Sequence, residues 1–166
     1  MDRRLEVLLD ARSIAARIAE LGVEIRGWYP PEATITVVGV LKGSFLFMAD
    51  LVRSIDGPVA CEFLGVSSYE GENSSGAVQI THDLRADIAG KHVLLVEDIV
   101  DTGLTLEYLR RMLGARGPAS LRVVALLDKP SRRKVPVEVD RVGFEIPDLF
   151  VVGYGLDLDQ LYRNLP

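Results

Sequence analysis

Three uninterrupted runs of β-branched and aliphatic residues constrain this chain most: ATITVVGVL at 33–41, KHVLLVE at 91–97 and LRVVALLD at 121–128. None alternates apolar with polar positions. Each therefore predicts a strand buried on both faces, and such strands belong to parallel sheets covered by helices. The intervening segments supply the helices. FLFMADLVRSI follows the first run, and LTLEYLRRMLGARG follows the second, with Gly117-Pro118 as its stop. Upstream, Asp10 reads as the N-cap of a helix on which Ile14, Ile18, Leu21 and Ile25 fall at helical spacing. VACEFLGVSSY at 59–69 predicts a further strand, closed by polar EGENSSGA before apolar character resumes at Val78 and Ile80, and LFVVGYG at 149–155 predicts a last one. The expected fold class is α/β, a mostly parallel central sheet flanked by helices.

In open sheets of this class, ligands bind beyond the carboxyl ends of the strands. The loops at 42–44, 98–104, 129–134 and 153–155 fall there and predict one shared rim. The 166 residues carry no repeat or linker and predict one domain, 1–166. No run approaches the roughly 18 apolar residues of a membrane span. The opening MDRRLEVLLDARS is broken by Glu6 and Asp10 and reads as mature cytoplasmic sequence. With Cys61 as the only cysteine and His82 and His92 as the only histidines, neither an internal disulfide nor a zinc-type ligand cluster can be assembled. A net charge of −5 argues against nucleic acid as a partner. The one dense basic run, Arg132-Arg133-Lys134, reads as a solvated face or a subunit contact.

The most informative loop is VLLVEDIVDTGLT, 93–105. Its DTGLT end combines a glycine with a helix start, so unpaired backbone N–H groups and the positive end of a helix dipole face outward, an arrangement that suits a phosphate monoester. Thr102 and Thr105 add hydroxyl donors, and Gly103 permits close approach or positive φ. Glu97 and Asp98 would repel a phosphate placed beside them. They suit sugar hydroxyls or a hydrated Mg²⁺. The loop is neither a Walker-type loop nor Gly-x-Gly-x-x-Gly.

VLLVEDIVDTGLT resembles the phosphoribosyl-pyrophosphate motif of type I phosphoribosyltransferases. VGVLKGSFLFMADL, SSYEGENSSG, LLDKPSRR, GFEIPDLFVVGYGLD and YRNLP, in that order across nearly the whole chain, resemble the hypoxanthine(-guanine) phosphoribosyltransferases, especially the short bacterial form. That resemblance implies the type I phosphoribosyltransferase fold, with a small hood built from N- and C-terminal segments. It also implies Mg²⁺-dependent transfer of a 5-phosphoribosyl group from 5-phosphoribosyl 1-pyrophosphate to a 6-oxopurine. By the same resemblance Glu97 and Asp98 hold ribose hydroxyls directly or through Mg²⁺, and Asp101, Thr102, Gly103, Leu104 and Thr105 hold the 5′-phosphate. Asp101 exchanges a proton with purine N7. Lys129 contacts the 6-oxo group, Phe150 stacks on the base and Val151 offers backbone groups to its edge. Asp157 lies by the purine and organises a second Mg²⁺. Lys42, in a family where the preceding bond is commonly cis, contacts pyrophosphate with Gly43 and Arg163. Ser68 and Tyr69 open a lid that limits hydrolysis. A homodimer or homotetramer is implied as well.

The chain departs from some members of that family at Leu104 and Leu149, where they carry lysine. Two other readings stay open at this level: a xanthine-preferring transferase, and an RNA-binding regulator that uses the same site as a sensor.

Overall fold

The computed structural model describes residues 4–68 and 77–166. After helix α1 (Ala11–Arg26) the chain runs β1 (Ile35–Leu41), α2 (Phe45–Ser54), β2 (Val59–Ser68), β3 (Val78–His82), β4 (His92–Val100), α3 (Leu104–Gly114), β5 (Ser120–Asp128), a 3₁₀ turn (Pro130–Arg132) and β6 (Arg141–Glu145). The six strands form one sheet in the order β3-β2-β1-β4-β5-β6, parallel except at the β2/β3 edge. Tyr69, expected in the lid, lies outside the described residues, as does the rest of that loop through residue 76. Ser68 ends β2.

The uninterrupted apolar runs are explained by two cores. Successive side chains of a strand point to opposite faces. Ile35, Val37, Leu94, Val96, Val124 and Leu126 thus pack with α1 and α2 on one side. Val38, Val40, Val93, Leu95, Val123 and Ala125 pack with Leu106, Leu109 and Leu113 of α3 on the other. The Asp10 carboxylate caps α1 by accepting from the Ser13 amide at 2.7 Å, as its side-chain chemistry predicts.

The expected strand at 149–155 is absent: the segment turns repeatedly, with Gly153, Tyr154 and Gly155 all at positive φ. That backbone cannot sit in a pleated ladder. The last strand is instead β6, half-exposed at the sheet edge, where the apolar signal is weak. The C-terminal segment folds over the rim through isolated bridges, Gly153 to Leu156 and Leu158 to Leu161. It meets the N-terminal segment around a cavity lined by Leu5, Val7, Leu8, Leu149, Phe150 and Val151. The apolar LFVVGY stretch is thus the underside of a hood.

Chain order positions the site. From β1 the chain steps to β2 on one side, and β4 then lies on β1's other side. The strand order reverses there, opening a crevice between the loops that follow β1 and β4.

Candidate active site

Leu41–Lys42 is a cis peptide, and the tight turn after it leads into α2. Gly43 faces β4 so closely that an added Cβ would stand 2.6 Å from Cγ of Asp98 and nearer still to Oδ2. Behind Gly43 lies Gly155 of the hood, where a Cβ would run into the Gly43 carbonyl. Hood, β1 loop and Asp98 are therefore three layers stacked without a side chain between them.

Glu97 is buried, at 6% exposure, on the end of β4. Burial first, and the Asp98 charge second, push its carboxyl well above the usual range. Asp98 is also raised, chiefly by burial, against lowering contributions from the Ile99 amide and the Arg163 guanidinium. Two adjacent acids at a buried strand end with elevated proton affinity are a site that gains from a cation. Among the described residues no three His, Cys, Asp or Glu side chains cluster as a metal cage. This donor set fits Mg²⁺, which keeps most of its water and takes one or two carboxylates together with ligand oxygens.

The loop from Ile99 to Leu106, with Glu97, surrounds a cavity of about 90 Å³. Gly103, at φ 86, starts α3 beside this cavity, and the first amides of α3 lack intrahelical partners, that of Leu104 making only a long 3.4 Å contact to Thr102 Oγ1. Glu97 and the turn from Asp101 to Thr105 thus line one cavity, while the Asp98 carboxylate faces Gly43. Leu104 is exposed and needs no positive charge to keep the backbone in place.

Lys129 follows β5 and is 7% exposed, its ammonium 3.8 Å from Asp148. Arg132 bridges Asp148 at 3.7 Å and the Asp101 carboxylate at 3.0 Å. Phe150 is 72% exposed with its ring free of the core, and Val151 packs partly against it. Lys42 reaches Gln160 at 3.2 Å, and Arg163 reaches Gln160 at 3.1 Å and Asp157 at 3.3 Å. Lys42 and Arg163 share a pocket with Thr81 and His82. Lys42, Gly43, Asp157 and Arg163 therefore gather at one end of the crevice, and Asp101, Lys129 and Asp148 at the other.

The sequence reading missed three participants. Gln160, at φ 68, links Lys42 to Arg163, and Asp148 links Lys129 to Arg132; neither carries a local signal. The third miss is a correction. Arg132 and Lys134 are exposed, as a solvated face requires, but Arg133 turns inward: its guanidinium donates to the Asp101 carbonyl at 2.9 Å and to the Asp128 carboxylate at 2.6 Å.

The phosphoribosyl transferase domain family matches residues 5–159. The chain belongs to the phosphoribosyl transferase family. Among its phosphoribosyltransferase relatives, the hypoxanthine phosphoribosyltransferase of Haemophilus influenzae is 56% identical over 164 residues, covering 97% of this chain and 92% of that protein. The hypoxanthine-guanine phosphoribosyltransferase of Aquifex aeolicus is 50% identical, covering 99% and 93%. Of the solved structures, the hypoxanthine phosphoribosyltransferase of Trypanosoma cruzi in complex with the product IMP superposes with a TM-score of 0.89 at 46% identity, covering 98% of this chain and 94% of that one. The sheet, its helices and the hood are the type I phosphoribosyltransferase fold.

Proposed function

We propose that this protein is a purine-salvage enzyme that transfers the 5-phosphoribosyl group from 5-phosphoribosyl 1-pyrophosphate to hypoxanthine or guanine, releasing pyrophosphate and IMP or GMP. The observation that carries the reading is the convergence on one crevice of an anion-binding turn (101–105), two elevated carboxyls (Glu97, Asp98) and a cationic pocket (Lys42, Arg163). The names of the relatives favour hypoxanthine and guanine over xanthine, and a transferase over an RNA-binding regulator.

In this reading the 5′-phosphate rests on the amides and hydroxyls of Thr102 to Thr105 at the start of α3. Glu97 and Asp98 accept from the ribose hydroxyls. Pyrophosphate leaves toward Lys42, the Gly43 amide and Arg163. The purine enters under the hood with Phe150 and Val151 against it, Lys129 donating to its 6-oxo oxygen and Asp101 exchanging the N7 proton. Lys129 is suited to that task because its ammonium is buried beside a single weakly placed acid and retains donors for a ligand oxygen. Glu97, Asp98 and Asp157 would hold Mg²⁺, which when bound neutralises charge on the departing pyrophosphate. Positive charge developing at the anomeric carbon meets the carboxylates of the β4 end. Ser68 and Tyr69 begin the segment that excludes water, and the protein works in the cytoplasm as a homodimer or homotetramer. No helix among the described residues is long and apolar enough to cross a membrane.

The test is incubation of purified protein with Mg²⁺, 5-phosphoribosyl 1-pyrophosphate and each of hypoxanthine, guanine and xanthine, followed by chromatography. IMP and GMP are the expected products. No nucleotide from hypoxanthine or guanine overturns the reading.

A further inference from the structure

The only dense basic run of the chain lies across the back of the anion-binding turn, and its second arginine is the most enclosed. The side chain of Arg133 is 21% exposed, and that of Asp128, its partner at the end of β5, is 10% exposed. One guanidinium nitrogen donates to Asp128 at 2.6 Å and another to the main-chain carbonyl of Asp101 at 2.9 Å. The following residues continue the attachment, because the Lys134 amide donates to the Thr102 carbonyl at 2.8 Å. Gly103 sits so tightly on this segment that an added Cβ would lie 3.0 Å from both Arg133 Cδ and Val137 Cγ1. A planar, always-charged fork suits this geometry, where one group must present two donors in fixed directions.

We infer that Arg133, anchored by Asp128, is a positioning residue that presets the backbone of Asp101 to Gly103, so that the turn is already in its anion-binding form before ligand arrives. Val100 and Asp128 are paired across β4 and β5, so the tie spans adjacent strand ends of the same rim. Arg133 acts through the carbonyl of Asp101, to which its guanidinium donates. An unconstrained glycine-bearing turn would have to be ordered by the ligand, and that ordering would appear as weaker binding. The inference rests on the transferase reading for its kinetic readout but not for its structural one.

Removing Arg133 alone strands a buried carboxylate and risks the fold. The decisive variant is therefore the double substitution Arg133→Met/Asp128→Asn, which removes both charges at nearly constant volume. Arg133→Lys, which keeps the charge for Asp128 but not the second donor direction, is its companion. Amide hydrogen exchange on the ligand-free proteins reads the turn itself. Both variants should melt close to the parent yet exchange faster at residues 101–106 and not elsewhere. In steady-state turnover the KM for 5-phosphoribosyl 1-pyrophosphate should rise about tenfold, the size expected from one charge-assisted hydrogen bond, while the KM for hypoxanthine changes less than threefold. A role confined to stability would move the melting temperature and leave both readouts alone. Parental exchange at 101–106, or faster exchange with an unchanged KM, overturns the inference. If the parent itself makes no nucleotide, the transferase reading fails, and the exchange comparison still decides the tie.

Discussion

The stacking of Gly155, Gly43 and Asp98 makes Gly43→Ala a demanding perturbation. The new methyl would stand 2.6 Å from Asp98 Cγ, whereas ordinary contact begins at 3.4 Å. The carboxylate must therefore retreat by more than the roughly 0.8 Å that Cγ alone requires, since Oδ2 is nearer still and repulsion rises too steeply to be absorbed in place. Gly43 has no positive φ, so alanine's backbone fits, and the reduced freedom of the unfolded chain favours alanine by about 0.4–1 kcal/mol. The Asp98 carboxylate, the far end of a short side chain, is the part that gives. The melting temperature should stay within about 3 °C of the parent. A displacement of about 1 Å or more at a positioning group costs on the order of 100-fold in rate, so kcat/KM for 5-phosphoribosyl 1-pyrophosphate should fall by at least about that factor, with a higher Mg²⁺ half-saturation. Gly155→Ala is the contrast. Its methyl meets the Gly43 carbonyl, which is backbone and cannot rotate away, and its φ is +98. A cost of about 3 kcal/mol should lower its melting temperature by about 6–12 °C. Steady-state kinetics and thermal melts on both variants provide the check. Parental kcat/KM in Gly43→Ala, or a loss of stability as large as in Gly155→Ala, refutes the reasoning.

Glu97→Gln should stabilise the metal-free protein. Because burial and then Asp98 hold Glu97 well above its ordinary 4.5, the fold binds its proton more tightly than the unfolded chain does, and stability is lost as pH rises from 4.5 through the raised folded value. Melts in a chelator should place the variant above the parent by a gap that widens as pH rises above the ordinary 4.5. A constant or reversed gap counts against this account, and turnover should fall in the same variant. Asp101→Asn should lower kcat by about 10²–10⁴ while the KM for 5-phosphoribosyl 1-pyrophosphate changes little; equal turnover removes Asp101 as the proton-transfer group. Leu109→Ala, which empties a fully buried position between α3 and the sheet, should cost about 2–5 kcal/mol in a denaturant titration and leave the KM values unchanged.

The amino-acid sequence by itself determined the doubly covered sheet, because the uninterrupted apolar runs of β1, β4 and β5 have no stable place except between two layers of helices. It also placed Glu97 and the turn from Asp101 to Thr105 beside one another, since they are contiguous in the chain and line one cavity. The tertiary structure decided what depends on residues distant in the chain. LFVVGYG has the composition of a strand, but positive φ at Gly153, Tyr154 and Gly155 makes it a hood, and the edge strand falls to half-exposed Arg141–Glu145. Arg133 looks like solvent-facing charge until Asp128 is brought beside it. Lys129 is buried, and the acid nearest its ammonium, Asp148 at 3.8 Å, comes from a different loop. The physical reason is common to these cases. Local patterning reports the surface a residue covers on its own element, whereas the partner that satisfies a charge comes from another loop, and only chain closure around the rim selects it.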